Sequence, residues 1–94
     1  MPDSATAITV NVRVVYLARL REAFARSEER IDLPANDATV AALVATLRAR
    51  GGVWADELAT GRAVRVAVNH ALVASDAPLG AGDEVALLPP VTGG

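Results

Sequence analysis

Ile8, Val10, Val12, Val14 and Tyr16 occupy alternate positions of one stretch, with Thr9, Asn11 and Arg13 between them. Side chains of a strand point to opposite faces in turn, so this stretch reads as a strand buried on one face only. Everything else must supply its cover and its neighbours. Glu29-Arg30-Ile31-Asp32-Leu33 alternates again and stops at the turn-forming Pro34-Ala35-Asn36-Asp37. The two strands are expected to pair as a wide hairpin, with one or two helical turns over Leu20 to Ala25 between them.

The next segment changes period. Thr39 is placed to cap a helix in which Val40, Leu43, Val44 and Leu47 follow at i, i+3, i+4 and i+7. Arg48 and Arg50 suit the carboxyl end of that helix, and Gly51-Gly52 stops it. Trp54 to Leu58 predicts a short second helix, with Trp54 as a core plug. Val64, Val66 and Val68 then alternate with Arg65, Ala67 and Asn69, and Asn69-His70 turns into a short strand around Leu72-Val73. Pro78 to Asp83 is a loop, and Glu84 to Leu88 is the last strand. The order β-β-α-β-β-β predicts an α+β fold of the β-grasp, or ubiquitin-like, type. One main helix, with short extra helical segments, covers one face of a mixed sheet whose first and last strands lie side by side. The expected division is an N-terminal arm over residues 1–7, a domain over 8–88 and an extended tail over 89–94. No internal repeat is visible.

Parity marks out a surface. Asn11 and Arg13 put the odd positions of the first strand toward solvent, yet Val15 and Leu17 share that face. Glu84 does the same for the last strand, whose Leu88 shares its parity, and Leu72 joins them from the short strand. Leu17, Leu72 and Leu88 therefore predict an exposed apolar patch. It reads as a docking surface, as scattered apolar residues, or as a surface covered by the N-terminal arm.

The composition excludes much. No Lys and no Cys occurs, and the nine basic residues are all Arg, so no side chain offers an amine or a thiolate nucleophile. A single His cannot build a multi-His metal site. A net charge of −2 gives no nucleic-acid footprint. No apolar run approaches the ~20 residues of a membrane span. Met1 to Ala7 lacks the basic start and apolar stretch of a secretory signal, so the expected location is the cytoplasm. No permanently bound cofactor or metal is expected.

What remains is the ending, Pro89-Pro90-Val91-Thr92-Gly93-Gly94. Two prolines hold the exit from the last strand extended. Two glycines without Cβ follow, and such a tip can thread a narrow channel to present its carboxylate to another protein's active site. The Gly94 carboxylate is the best remaining candidate for covalent chemistry.

Ala18-Arg19-Leu20-Arg21-Glu22, Val68-Asn69, Pro78-Leu79, Gly82-Asp83-Glu84-Val85 and above all the Pro-Pro-Val-Thr-Gly-Gly ending resemble the small, sulfur-carrying subunits of molybdopterin synthases. The likeness spans about Val10 to Gly94. It implies that an E1-like adenylyltransferase consumes ATP to activate Gly94, and that a sulfur donor protein converts the acyl-adenylate to a thiocarboxylate. It implies that Pro89, Pro90, Val91, Thr92 and Gly93 thread the active site of the large synthase subunit in a heterotetramer. There the sulfur attacks cyclic pyranopterin monophosphate, with the catalytic side chains supplied by the large subunit. Leu17 and Leu88 stand where family members often carry Phe. Sulfur carriers for thiamine, cysteine or tRNA thiolation, and ubiquitin-like protein modifiers, share the Gly-Gly ending.

Overall fold

The computed structural model describes residues 8–60 and 64–89. Strand β1 (Thr9–Tyr16) leads into helix α1 (Ala18–Phe24) and strand β2 (Glu28–Pro34). A 3-10 turn over Ala35–Asp37 follows, then helices α2 (Val40–Arg48) and α3 (Gly52–Glu57). Strands β3 (Arg65–Val68), β4 (Ala71–Val73) and β5 (Glu84–Leu88) complete the chain. The five strands form one mixed sheet in the order β2-β1-β5-β3-β4. β1 runs parallel to β5, with Val14 opposite Val85 and Tyr16 opposite Leu87. It runs antiparallel to β2, with Val12 opposite Ile31. A parallel neighbour needs a crossover, and the helices between the two strands supply it. This is the β-grasp arrangement, with the first and last strands adjacent.

The alternation in β1 has its predicted consequence. Val12, Val14 and Tyr16 are buried, and they share a core with Ile31, Leu33, Val85 and Leu87 of the neighbouring strands. Leu20 and Phe24 of α1 and Val40, Leu43 and Leu47 of α2 close it from the helical side. Each such side chain contributes about 1.5–3 kcal/mol by leaving water. The Thr39 hydroxyl accepts a hydrogen bond from the Ala42 N–H at 3.1 Å, capping α2. At its other end Gly51 adopts φ +78°, which ends the helix without Cβ strain.

Trp54 packs in an aromatic cluster. Its ring stacks on Phe24 at 3.8 Å and 5°, and Tyr16 meets it edge-on at 5.5 Å. The Arg50 guanidinium lies 4.4 Å from the centroid of the Trp54 ring.

One expectation is corrected. Ile8, read as the first inward residue of β1, is 74% exposed. It precedes the strand, and β2 ends opposite Thr9, so among the described residues neither a paired strand nor a helix covers it. The expected arm over residues 1–7 and the tail positions Pro90, Val91, Thr92, Gly93 and Gly94 lie outside the described residues. Among the described residues, no helix is long and apolar enough to cross a membrane.

Candidate functional site at the end of strand β5

β5 is the middle strand of the sheet, and it carries the chain directly from the core to Pro89. Val85 and Leu87 point into the core and are fully buried. The alternate residues Glu84, Ala86 and Leu88 face the helix-free side and are half-buried. Packing on one face thus anchors the strand, and among the described residues no helix covers its other face.

The two flanking strands hold that exit. Leu88 lies opposite Arg65 of β3. Tyr16 lies opposite Leu87, and the Leu17 N–H donates to the Leu87 carbonyl at 3.2 Å. Leu17 and Leu88 are therefore neighbours, as expected, and Leu17 is 38% exposed. Leu72 shares their face but stands at the far edge, 61% exposed on β4. It connects to the others through a cross-strand row, since Leu72 lies opposite Ala67, Ala67 opposite Ala86, and Ala86 opposite Val15. The three leucines do not make a continuous ridge. They border a shallow apolar trough floored by two alanines and Val15. The sequence reading missed Ala67 and Ala86, although their alternation with Val66, Val68, Val85 and Leu87 carries the signal.

A charged row bounds the trough on the side away from Pro89. Arg13 donates to Glu28 at 2.7 Å and to Glu84 at 3.0 Å. The Arg13 hydrogen bond and charge hold the Glu28 carboxyl below its usual range. His70 Nε2 lies 3.6 Å from the free Glu84 oxygen.

The far end of β5 is fixed by a turn. Asn69 and His70 both adopt positive φ, 50° and 75°, which suits a two-residue hairpin between antiparallel strands. The Asn69 amide donates to Asp83 at 3.0 Å, and its oxygen accepts from the Glu84 N–H at 3.1 Å. The other Asp83 oxygen accepts from the Gly80 N–H at 2.7 Å. Two sequence segments distant from one another, Val68-Asn69 and Gly82 to Val85, thus form one brace. It sets the register of β5, and with it the position of Leu88 and Pro89.

Among the described residues, no cluster of three or more His, Asp or Glu side chains could hold a metal ion. On the open sheet face Glu28 and Glu84 pair with Arg13 and Asp32 accepts from the Asn11 amide, and neither a thiol nor a lysine amine exists in the sequence.

The pattern of the ThiS family matches residues 14–94. A molybdopterin synthase sulfur carrier subunit of Escherichia coli is 40% identical over 83 residues, covering 88% of this chain and 99% of the relative. Among solved structures, the Haloferax volcanii small archaeal modifier protein 1 is 31% identical with a TM-score of 0.62, covering 87% of this chain and 99% of that one. A chain in the complex of subunits 1 and 2 of the molybdopterin-converting factor of Helicobacter pylori is 29% identical with a TM-score of 0.57. That likeness covers 90% of this chain and all of the other.

Proposed function

The chain belongs to the ThiS family, and from that premise we propose that it is the sulfur-carrying subunit of a molybdopterin synthase, acting in the cytoplasm. The observation that carries this reading is the anchored β5, which leads from a fully buried Leu87 to Pro89 beside an open apolar trough. The Gly94 carboxylate attacks the α-phosphorus of ATP on an E1-like adenylyltransferase and releases pyrophosphate. A free carboxylate is inert toward sulfur, whereas the resulting mixed anhydride has AMP as a good leaving group. Sulfide-level sulfur from a donor protein attacks the acyl carbon, the C–O bond to AMP breaks, and AMP departs to leave a thiocarboxylate. The tail then enters the large subunit, and the thiocarboxylate sulfur attacks cyclic pyranopterin monophosphate. Two carriers in turn supply the two dithiolene sulfurs. Leu17, Leu72 and Leu88 are the proposed docking residues. The adenylyltransferase, the sulfur donor and the large subunit are the proposed partners, and the large subunit supplies the catalytic side chains.

Mass spectrometry tests the central step. Incubation with adenylating enzyme, ATP and a sulfur source is expected to exchange one oxygen for sulfur at Gly94. Deleting Gly94, or appending residues after it, is expected to abolish the exchange and leave folding intact. Molybdopterin formation by an extended, untrimmed chain would overturn the proposal. The likeness to a small archaeal modifier protein favours one second reading, attachment of Gly94 to amines of other proteins. Gly94-linked conjugates, in place of a thiocarboxylate, would establish it. Lacking Lys, this chain could not extend such conjugates through its own side chains.

A further inference from the structure

Strand β2 stands at one edge of the sheet, and among the described residues no strand pairs with its outer side. An edge strand leaves every second residue's N–H and C=O groups unpaired, and those groups are a template for a further strand. The register tells which they are. The Tyr16 N–H donates to the Ser27 carbonyl at 2.8 Å, and the Ala35 N–H donates to the Ile8 carbonyl at 2.9 Å. Bonded pairs recur at alternate residues of an antiparallel ladder. Glu29, Ile31 and Leu33 therefore bond to β1, and Glu28, Arg30 and Asp32 turn their main-chain groups outward. The side chains of these three stand exposed on the open face. Glu28 is held by Arg13 at 2.7 Å. Arg30 and Asp32 each meet only Asn11, at 3.0 and 2.8 Å, and among the described residues neither is in an ion pair. The free edge thus carries a cation and an anion two residues apart, both without a counter-charge.

That pattern is complementary to itself. A two-fold axis makes residue i of one copy meet residue j of the other, and j meet i. With the axis beside Ile31, the midpoint of β2, Arg30 lies opposite Asp32 of the second copy and Asp32 opposite its Arg30. All four of these residues then exchange main-chain hydrogen bonds, because each turns its N–H and C=O outward. Glu28 lies opposite Pro34, and Ile31 meets its own counterpart on the helical face. The other registers fail. An axis at Arg30 sets Arg30 against Arg30 and Glu28 against Asp32, which are like charges directly opposite. An axis at Glu29 sets Glu29 against Glu29 and pairs only Glu28 to Arg30 of the strand. We propose that two copies of this chain associate edge to edge through antiparallel β2 strands, with two Arg30–Asp32 ion pairs fixing the register. The two sheets become one, and no residue of the trough takes part. β5 is separated from the joint by β1, so each copy keeps its β5 exit clear of the other.

Sedimentation velocity on the full chain over a range of concentrations tests this, with a charge exchange as the decisive arm. Arg30→Asp sets two pairs of acids opposite one another across the joint, and Asp32→Arg sets two pairs of bases. Each variant alone is expected to associate at least about tenfold more weakly than the unaltered chain. An equal mixture of the two is expected to associate again, because every acid of one then faces a base of the other. That recovery belongs to this register alone. Both positions are exposed, and a melting curve on each variant checks that it is folded. Amide hydrogen exchange on the unaltered chain needs no variant. The Arg30 and Asp32 amides are expected to slow as concentration rises, whereas those of Ile31 and Leu33, bonded to β1, are protected at every concentration. A chain that stays monomeric throughout overturns the proposal. So does association that both single variants retain, which would place the contact on another face such as the trough, and so does a mixture that fails to recover.

Discussion

Glu29 lies opposite Val14 on the helical face of β2, where an unpaired carboxylate would be costly. Its side chain is only 15% exposed. Both arms of Arg50 meet it at 2.9 Å, Arg26 at 3.0 Å, and the Tyr16 hydroxyl donates to it. Burial pushes the carboxyl up, but the hydrogen bonds from Arg50 and Tyr16 and the charges of Arg50 and Arg26 outweigh it, so the group sits below its usual value of 4.5. Burial, with the bond to Glu29, keeps the Tyr16 phenol protonated far into the alkaline range. A carboxylate with a depressed folded value stabilises the protein above its unfolded value and loses that contribution as pH falls through the folded one. Urea melts are therefore expected to show stability falling from about pH 4.5 downward. Glu29→Gln is expected to flatten that slope and to cost about 1–3 kcal/mol at neutral pH, because the charge is lost and one of the two acceptor oxygens becomes an NH2 facing Arg50 or Tyr16. An unaltered pH slope in the variant would show that another carboxylate governs it.

The elements differ in how far local sequence determines them. β1 was legible because its alternation is uninterrupted from Val10 to Tyr16, and α2 because Thr39, the apolar spacing and Gly51 mark its start, face and end. The Gly82 to Val85 segment was legible as a loop and a strand, but not as half of a brace with Asn69. That brace is a contact between residues far apart in the chain, to which periodicity is blind. The same holds for Glu29, whose partners Tyr16 and Arg50 are supplied by β1 and by the residues just past α2. α1 was the least legible element, and its ends show why. Ala18 and Ala25 adopt φ of 51° and 56°, positions where sequence signals would call for glycine. Tertiary packing of Leu20 and Phe24 overrides that local preference. Ala25 is exposed and terminates the helix, its N–H bonding to the Arg21 and Glu22 carbonyls. Ala25→Gly is therefore expected to raise stability by about 0.5–1 kcal/mol, relief of the left-handed strain exceeding the added freedom of the unfolded chain. Thermal melts read this as a midpoint higher by a few degrees. A lower midpoint would mean that packing already absorbs the strain.

At the scale of the whole molecule, the sheet separates a buried face from an open one by parity, and adjacent residues of β5 can be used to separate core packing from the proposed docking experimentally. Leu87 is fully buried among core residues, whereas Leu88 faces the open side beside Leu17 and Arg65. Leu87→Ala leaves a cavity and is expected to cost about 2–5 kcal/mol. Its folded fraction should still bind a partner normally, because the trough is built from the other face. Leu88→Asp is expected to leave the melting curve nearly in place, since its new carboxylate meets solvent and lies opposite Arg65. It should weaken binding to a large synthase subunit by at least about 2 kcal/mol if Leu88 sits at the desolvated centre of that interface. Leu72→Asp should weaken binding less, because Leu72 stands at the sheet's edge, two strands from β5. Calorimetric titration and a melting curve on each variant give the two readouts independently. Loss of the fold in Leu88→Asp, with affinity per folded molecule unchanged, would reverse the assignment of faces and remove the trough as the docking surface.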